Sequence, residues 1–266
     1  MKSVIVDTLR RENVKWAGKE IEYLQIVDST NDYAKMMAMD GGVHGLLVTA
    51  EEQTGGKGRR GRAWVTPAGT AIAMSMVLRP QLAPEKASML TLVAGLAVTE
   101  AIRKVTGLNA LLKWPNDVVV NGKKTTGILT EMTMKGASID FVILGIGINV
   151  NVTEFPEEIC DIATSLFLET GYLVDRAKLA ASCLKFFELY YEKFMKAGDM
   201  SGLKEAYEEV LINRNQQVRV LEPDNEYTGI ARGIDELGQL LVEKEDGSVV
   251  KVYAGEVSVR GIYQYV

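Results

Sequence analysis

The sequence predicts an α+β chain, in which strands and helices form a first unit and a small all-β unit follows. Three observations carry this. Asn121-Gly122 separates two apolar runs and is a hairpin signal, so the strands around it are read as antiparallel neighbours. Two long helical stretches, over 84–105 and 175–197, interrupt the strands. From Gln216 the texture changes to short runs such as QQVRVLE and GQLLVEKEDG, broken by Gly and Asp turns. With the boundary near Asn213, the units are 1–213 and 214–266.

Taken in order, IEYLQIVD (21–28) reads as a strand and STNDYAKMMAM (29–39) as a helix, with Ser29 or Thr30 a natural N-cap. GLLVTAEE (45–52) and TAIAMSMVL (70–78) are strands. Pro84 is expected to open the next helix, which is apolar nearly all round and therefore buried. LLKW, DVVV, TTGILTEMTM and SIDFVILGIGINV are further strands, and 202–212 is a further helix after 175–197.

The net charge of −5 argues against general nucleic-acid binding, so any basic site must be local. Cys160 and Cys183 are too few and too far apart for a disulfide scaffold, which suits a reducing cytoplasmic setting. No apolar run is long enough for a secretion signal or a membrane span. His44 is the only histidine, which excludes chemistry needing two histidines, most catalytic zinc sites included. It is read as structural.

Residues 55–62 concentrate the local charge. Gly55, Gly56, Gly58 and Gly61 alternate with Lys57, Arg59, Arg60 and Arg62. Glycine lets backbone approach a ligand, and arginine presents a planar fork to phosphate oxygens. GKGRRG matches GxGxxG in form, but a dinucleotide site needs a helix at the last glycine, and here AWVTPAG and a strand follow. The P-loop spacing fails too, because Arg62 and Ala63 stand where lysine and a magnesium-binding hydroxyl belong. A phosphate grip remains, beside a solvated basic turn or a nucleic-acid patch in which Trp64 would stack on bases.

KWPND (113–117) lies between apolar strands. It is either a plain hairpin corner or a set of polar groups, Lys113, Asn116 and Asp117, carried on rigid strand ends. Lys124 follows the second turn. Gly127, Gly145 and Gly147 inside strands suggest close approach of a ligand or of other backbone.

DSTN (28–31), EEQTGGKGRRGRAW (51–64), KWPNDVVVNGKKTTGILTE (113–131), GIGINVN (145–151) and GEVSVRG (255–261), in this order and spacing, resemble the biotin–protein ligase family. The resemblance covers the chain from about residue 20. It implies a mixed, mostly antiparallel sheet with helices, like that of class II aminoacyl-tRNA synthetases and lipoate ligases, and then a small SH3-like β-barrel. It also implies a two-step reaction. Biotin and MgATP give biotinyl-5′-AMP, and a lysine of a biotin carboxyl carrier protein then takes the biotin.

By the same resemblance Ser29, Thr30, Asn31 and Gln53 contact biotin, with Gly127 and Gly145 lining its pocket. Lys57, Gly58 and Arg59 belong to a loop over biotin and the adenylate, and Lys124 binds the carboxylate and phosphate. Arg60, Arg62, Trp64, Lys113, Asn116, Asp117, Asn149 and Arg260 are expected on the nucleotide side. Lys124 and Arg59 are the expected catalytic groups, ATP, biotin and Mg²⁺ the ligands, and no protein cluster is expected to hold the metal. Position 57 departs from the family's usual arginine, keeping the charge but not the bidentate fork. About 20 residues precede the first strand, so no DNA-binding domain is expected. A cytoplasmic homodimer acting on the carrier subunit of acetyl-CoA carboxylase completes the reading. The rivals are a lipoate or octanoate ligase and a nucleic-acid-binding module.

Overall fold

Seven strands form the central sheet of this computed structural model, which describes residues 1–221, 226–254, 258–261 and 265–266. They are β1 (Ile21–Val27), β2 (Leu47–Gln53), β3 (Ala71–Leu78), β4 (Leu111–Lys113), β5 (Asp117–Val120), β6 (Lys123–Lys135) and β7 (Ser138–Asn149). Their spatial order is β1-β2-β3-β7-β6-β5-β4, and every pairing is antiparallel except β1 with β2. The parallel pair makes the sheet mixed, as expected. It follows from the helix between its strands, because a crossover returns the chain in the same direction. The Asn121-Gly122 hairpin forms as expected, both residues having positive φ.

The sheet has two unlike faces, set by the period of two along each strand. On β3 and β7, Ile72, Met74, Met76 and Leu78, and Val142, Leu144, Ile146 and Ile148, enter the main core. Helices α1 (Lys2–Arg11), α3 (Met89–Thr106) and α5 (Arg176–Ala197) contribute to the same core. The alternate residues face the other way. There α2 (Thr30–Met39) sets Ala34 and Ala38 against Val77, Phe141 and Ile143 at one end. The rest of that face is lined by Ala73, Ser75, Gly145 and Gly147.

Several elements differ from expectation. Pro84 begins only a single 3₁₀ turn (Pro84–Lys86), and α3 starts at Met89, because i→i+3 bonds tighten the entry. The helix expected over 202–212 is a 3₁₀ turn (Met200–Gly202) and α6 (Lys204–Glu209). Beyond it the backbone joins β4 instead, with Leu112 N–H donating to Val210 and Ile212 N–H donating to Leu112. The short α4 (Leu166–Thr170), capped by Ser165 and ended by Gly171, and α1 are further helices beyond those expected. Helix α1 lacks a side-chain N-cap and buries only Ile5 and Leu9.

The segment after α1 is pinned by Glu188 of α5, whose buried carboxylate accepts backbone N–H bonds from Lys15, Trp16 and Ala17. A second sheet, antiparallel throughout, follows in the order β11-β10-β9-β8-β12. Its strands are β8 (Gln217–Leu221), β9 (Glu226–Ile234), β10 (Leu240–Glu243), β11 (Val249–Val252) and β12 (Ser258–Gly261). Among the described residues no helix is long and apolar enough to cross a membrane.

Candidate active site

The site begins as a register. Pairing across the sheet puts Ala73, Gly147, Gly127, Asp117 and Lys113 in one transverse row over β3, β7, β6, β5 and β4. The middle of that row has no side chains, and the far end carries charge. A Cβ on Gly147 would collide with the Trp64 indole, and one on Gly127 would lie 3.0 Å from the same ring. On Gly145, next to Ser75, it would strike the Asn31 carboxamide. The glycines in these strands therefore admit other side chains onto the sheet.

Lys124 joins this face through a β-bulge. Residues 124 and 127 are three apart, which on a regular strand directs them to opposite faces. The register slips at Val118/Val119, where Val118 faces Thr126 and Val119 faces Lys124. The extra residue reverses the parity. Lys124 Nζ then lies 3.3 Å from where a Gly127 Cβ would stand. Its backbone is fixed from the other side, with Lys124 N–H donating to Ile162 and Thr164 N–H donating back to Lys124, at 2.8 and 2.9 Å.

Residues 53–66 form a hairpin flap extending β2, with bridges Gln53↔Thr66 and Lys57↔Ala63. Gly56 accepts from Trp64 N–H at 2.8 Å, and a Cβ at Gly56 would collide with the Trp64 carbonyl. The tip turns at Arg60 and Gly61, both with positive φ. Trp64 lies over Gly147 and Gly127, with Lys124 Nζ 5.6 Å from its ring centre.

Two cavities flank this centre. The first ends in a polar network at the start of α2. Ser29 caps the helix by accepting from Asp32 N–H. Gln53 Oε1 accepts from Thr30 N–H and Oγ1–H at 2.8 and 3.0 Å, and Gln53 Nε2 donates to Thr66. Ser75 lies 2.6 Å from Asn31 Oδ1, and Asn31 Nδ2 donates to Glu131 at 2.6 Å. Lys57, Gly58, Gly127 and Gly145 complete the lining. Lys57 is held by an ion pair to Asp32 at 2.6 Å, whose hydrogen bond raises the lysine's pKa.

The second cavity, about 340 Å³, opens between the flap, β4, β5 and segment 152–163. Arg60, Arg62, Lys113, Asp117 and Asn149 line it, Asn149 donating to the Thr164 carbonyl at 3.2 Å. Arg59, Trp64, Asn116 and Lys124 line both cavities. At this junction Arg59 donates to Asn116 Oδ1 at 2.7 Å and to the Ala254 carbonyl at 2.6 Å, which ties the flap to the second sheet. Lys124 Nζ lies 2.6 Å from Asp117 Oδ1. Burial pushes the Asp117 carboxyl upward in pKa, but Lys124 and Lys113 outweigh it and hold the group below the usual carboxylate range. Burial lowers the Arg59 pKa, yet an arginine stays charged near neutrality.

The ten residues expected around the acid thus line the first cavity. Nine of the ten on the nucleotide side line the second. The tenth, Arg260, lies with its backbone on β12, and its side chain is outside the described residues. Sequence reasoning missed Ser75, Thr66, Glu131 and Tyr265. The Tyr265 hydroxyl bonds to Asp117 and its ring carries Lys113 Nζ at 4.1 Å. Only three-dimensional pairing brings these groups in, and no local pattern marks them. His44 lines neither cavity and packs at a tilt against Trp16 and Tyr191, with Nδ1 accepting from Arg79 N–H at 3.0 Å. Among the described residues no cluster of three His, Cys, Asp or Glu could hold a metal ion.

Comparison with known proteins identifies the family. Residues 23–149 match the biotin/lipoate A/B protein ligase family, and 215–260 match the biotin protein ligase C-terminal domain. The chain is 38% identical over 242 residues to the bifunctional ligase/repressor BirA of Bacillus subtilis, covering 90% of this chain and 74% of that protein. It is 35% identical over 257 residues to the biotin–[acetyl-CoA-carboxylase] ligase of Mycobacterium tuberculosis, covering 93% and 92%. The solved structure of the Aquifex aeolicus biotin protein ligase with biotin and ATP superposes with a TM-score of 0.80 at 34% identity, over 91% of this chain and 99% of that one. With the flap, the glycine floor and both cavities in place, the chain belongs to the biotin protein ligase family.

Proposed function

We propose that this protein is a biotin–[biotin carboxyl carrier protein] ligase, in which the biotin carboxylate attacks the α-phosphorus of ATP to give biotinyl-5′-AMP with release of pyrophosphate, and the biotin then passes to a carrier lysine. The observation that carries it is the convergence of two cavities, one polar-ended and one basic, on Lys124 and Arg59. A carboxylate in the first and an α-phosphate in the second would meet there. Their repulsion is the main obstacle to attack at phosphorus, and two fixed cations at the meeting point reduce it. Lys124 is the first of these, and its partner Asp117 keeps it oriented until an anion arrives. Arg59 on the flap is the second, so flap closure supplies charge and excludes water together. In the second step the carrier's neutral amine attacks the acyl carbonyl and AMP leaves, with proximity as the main contribution.

The polar end of the first cavity favours biotin over lipoate. Ser29, Thr30, Asn31 and Gln53 supply donors and acceptors suited to a ureido ring, a group that an aliphatic dithiolane lacks, with Ser75 behind them bonded to Asn31. Mg²⁺ would arrive with the nucleotide. The second cavity offers it Asp117 and Glu154, in keeping with an ion that retains several waters and leans on phosphates. The assignment of individual residues and the division at 213/214 follow the same reading. The carrier subunit of acetyl-CoA carboxylase, a homodimer and a cytoplasmic location follow from the family, and the two free cysteines suit the last of these. The charge of −5 supports a role without DNA binding.

The test is incubation with MgATP and biotin, or with lipoate, followed by mass spectrometry of the bound species. Biotinyl-5′-AMP, and carrier labelling when a carrier domain is added, is expected. A preference for lipoyl-AMP would overturn the choice of acid, and no adenylate with either would overturn the ligase reading.

A further inference from the structure

We infer that Tyr265 is a positioning residue of the nucleotide site, acting through Asp117 on Lys124; the inference rests on the ligase reading above. Its hydroxyl is hydrogen-bonded to Asp117 Oδ2, and the other oxygen of the same carboxylate holds Lys124 Nζ at 2.6 Å. Its ring lies under Lys113 Nζ at 4.1 Å, a cation–π distance. Lys113 and Asp117 are both buried, facing each other across β4 and β5. Tyr265 itself lines the second cavity beside them. A residue nearly 150 positions from Asp117 in the chain thus joins Lys113, Asp117 and Lys124.

The chemistry gives each contact a task. A carboxylate between two ammonium groups can swing toward either one. A phenol donor on Oδ2 leaves Oδ1 to Lys124 and fixes the direction of that lysine. The ring meanwhile meets Lys113 as a neutral cation–π partner, which does not repel an entering triphosphate. Lys124 is then held for exchange from Asp117 to phosphate, with Lys113 beside it. Of these four groups only Lys124 reaches the first cavity, so removal of Tyr265 should weaken nucleotide use more than biotin binding.

The experiment uses the full chain carrying Tyr265→Phe, Tyr265→Leu, Asp117→Asn, and Asp117→Asn with Tyr265→Phe. ATP KM and kcat are read from biotinyl-adenylate formation, and biotin affinity from calorimetry without nucleotide. Tyr265→Phe should raise the ATP KM about three- to tenfold, the range set by one charge-assisted hydrogen bond. Tyr265→Leu, which also loses the ring, should raise it further, with biotin affinity reduced less than ATP use in both. The double variant should behave as Asp117→Asn alone, since the phenol acts through that carboxylate. An unchanged ATP KM in both Tyr265 variants overturns the inference. So does a loss of biotin affinity in step with ATP, which marks a merely structural role, or additive effects in the double variant. A parent protein that forms no biotinyl adenylate removes the ligase reading itself, a result separate from the variants' failing to differ from an active parent.

Discussion

Leu144 and Gly145 are neighbours on β7 and do opposite work. Leu144 enters the main core, fully buried. Gly145 faces the first cavity and leaves room for Asn31. The contrast extends along the strand, with Val142, Ile146 and Ile148 on one face and Gly147 and Asn149 on the other. One face gains stability from volume, while the other gives up volume so that side chains from the flap and α2 can approach the sheet. Stability and ligand binding should therefore be separable by single substitutions one residue apart.

The largest expected effect lies where the glycine face ends in charge. Lys124→Ala should lower adenylate formation by about a thousandfold, as loss of a preorganised transition-state cation does, while far-UV circular dichroism stays native. Normal pyrophosphate exchange in this variant would remove Lys124 from the chemistry. The paired test comes next. Gly145→Ala should weaken biotin binding by about ten- to a hundredfold, because Asn31 must leave its bonds to Ser75 and Glu131. Its melting temperature should stay close to the parent's. Leu144→Ala should do the reverse, costing about 2–5 kcal/mol of stability with biotin affinity retained in the folded fraction. Equal losses of both properties in both variants would break the two-face account.

Arg59→Gly tests the flap. It removes the bonds to Asn116 and Ala254, and release of the adenylate should accelerate about tenfold, measured as free biotinyl-5′-AMP appearing without carrier. The smallest effect concerns acid stability. Asp117 has a depressed folded pKa, so its contribution is present above the unfolded value near 3.9 and is lost as pH falls through the lower folded value. Denaturant midpoints should therefore fall less steeply below about pH 4 in Asp117→Asn than in the parent. Parallel curves would show that its two lysines do not stabilise the anion.

Much of this architecture was legible in the sequence because its signals are local. Asn121-Gly122 must turn, Ser29 caps a helix three residues ahead of Asp32, and alternating runs such as TAIAMSMVL have one answer. The glycine–arginine density at 55–62 pointed to the flap, and the strand glycines pointed to the cavity floor. What stayed hidden depends on register. Lys124 reaches the site through a single inserted residue between β5 and β6, and no composition of KKTTGIL announces it. Asn31 and Glu131 are a hundred residues apart, and Tyr265 is farther still from Asp117. Helix ends were misplaced where tertiary bonding won over local preference, as when Val210 and Leu211 left a helical pattern to pair with Leu112.

The placement of Trp64 on the glycine floor also gives the molecule an optical handle. The sequence has three tryptophans. Trp114 is fully buried with its indole N–H bonded to Gly238, and Trp16 is locked against His44, Phe187 and Tyr191. Trp16 lines neither cavity, and Trp114, which borders the second, is held in place by its own hydrogen bond. Trp64 lines both cavities, and its buried indole nitrogen has no hydrogen-bond partner among the described residues. Its emission should shift in colour and intensity as each substrate binds, so that stopped-flow fluorescence times flap closure with no attached dye, and Trp64→Phe supplies the silent control.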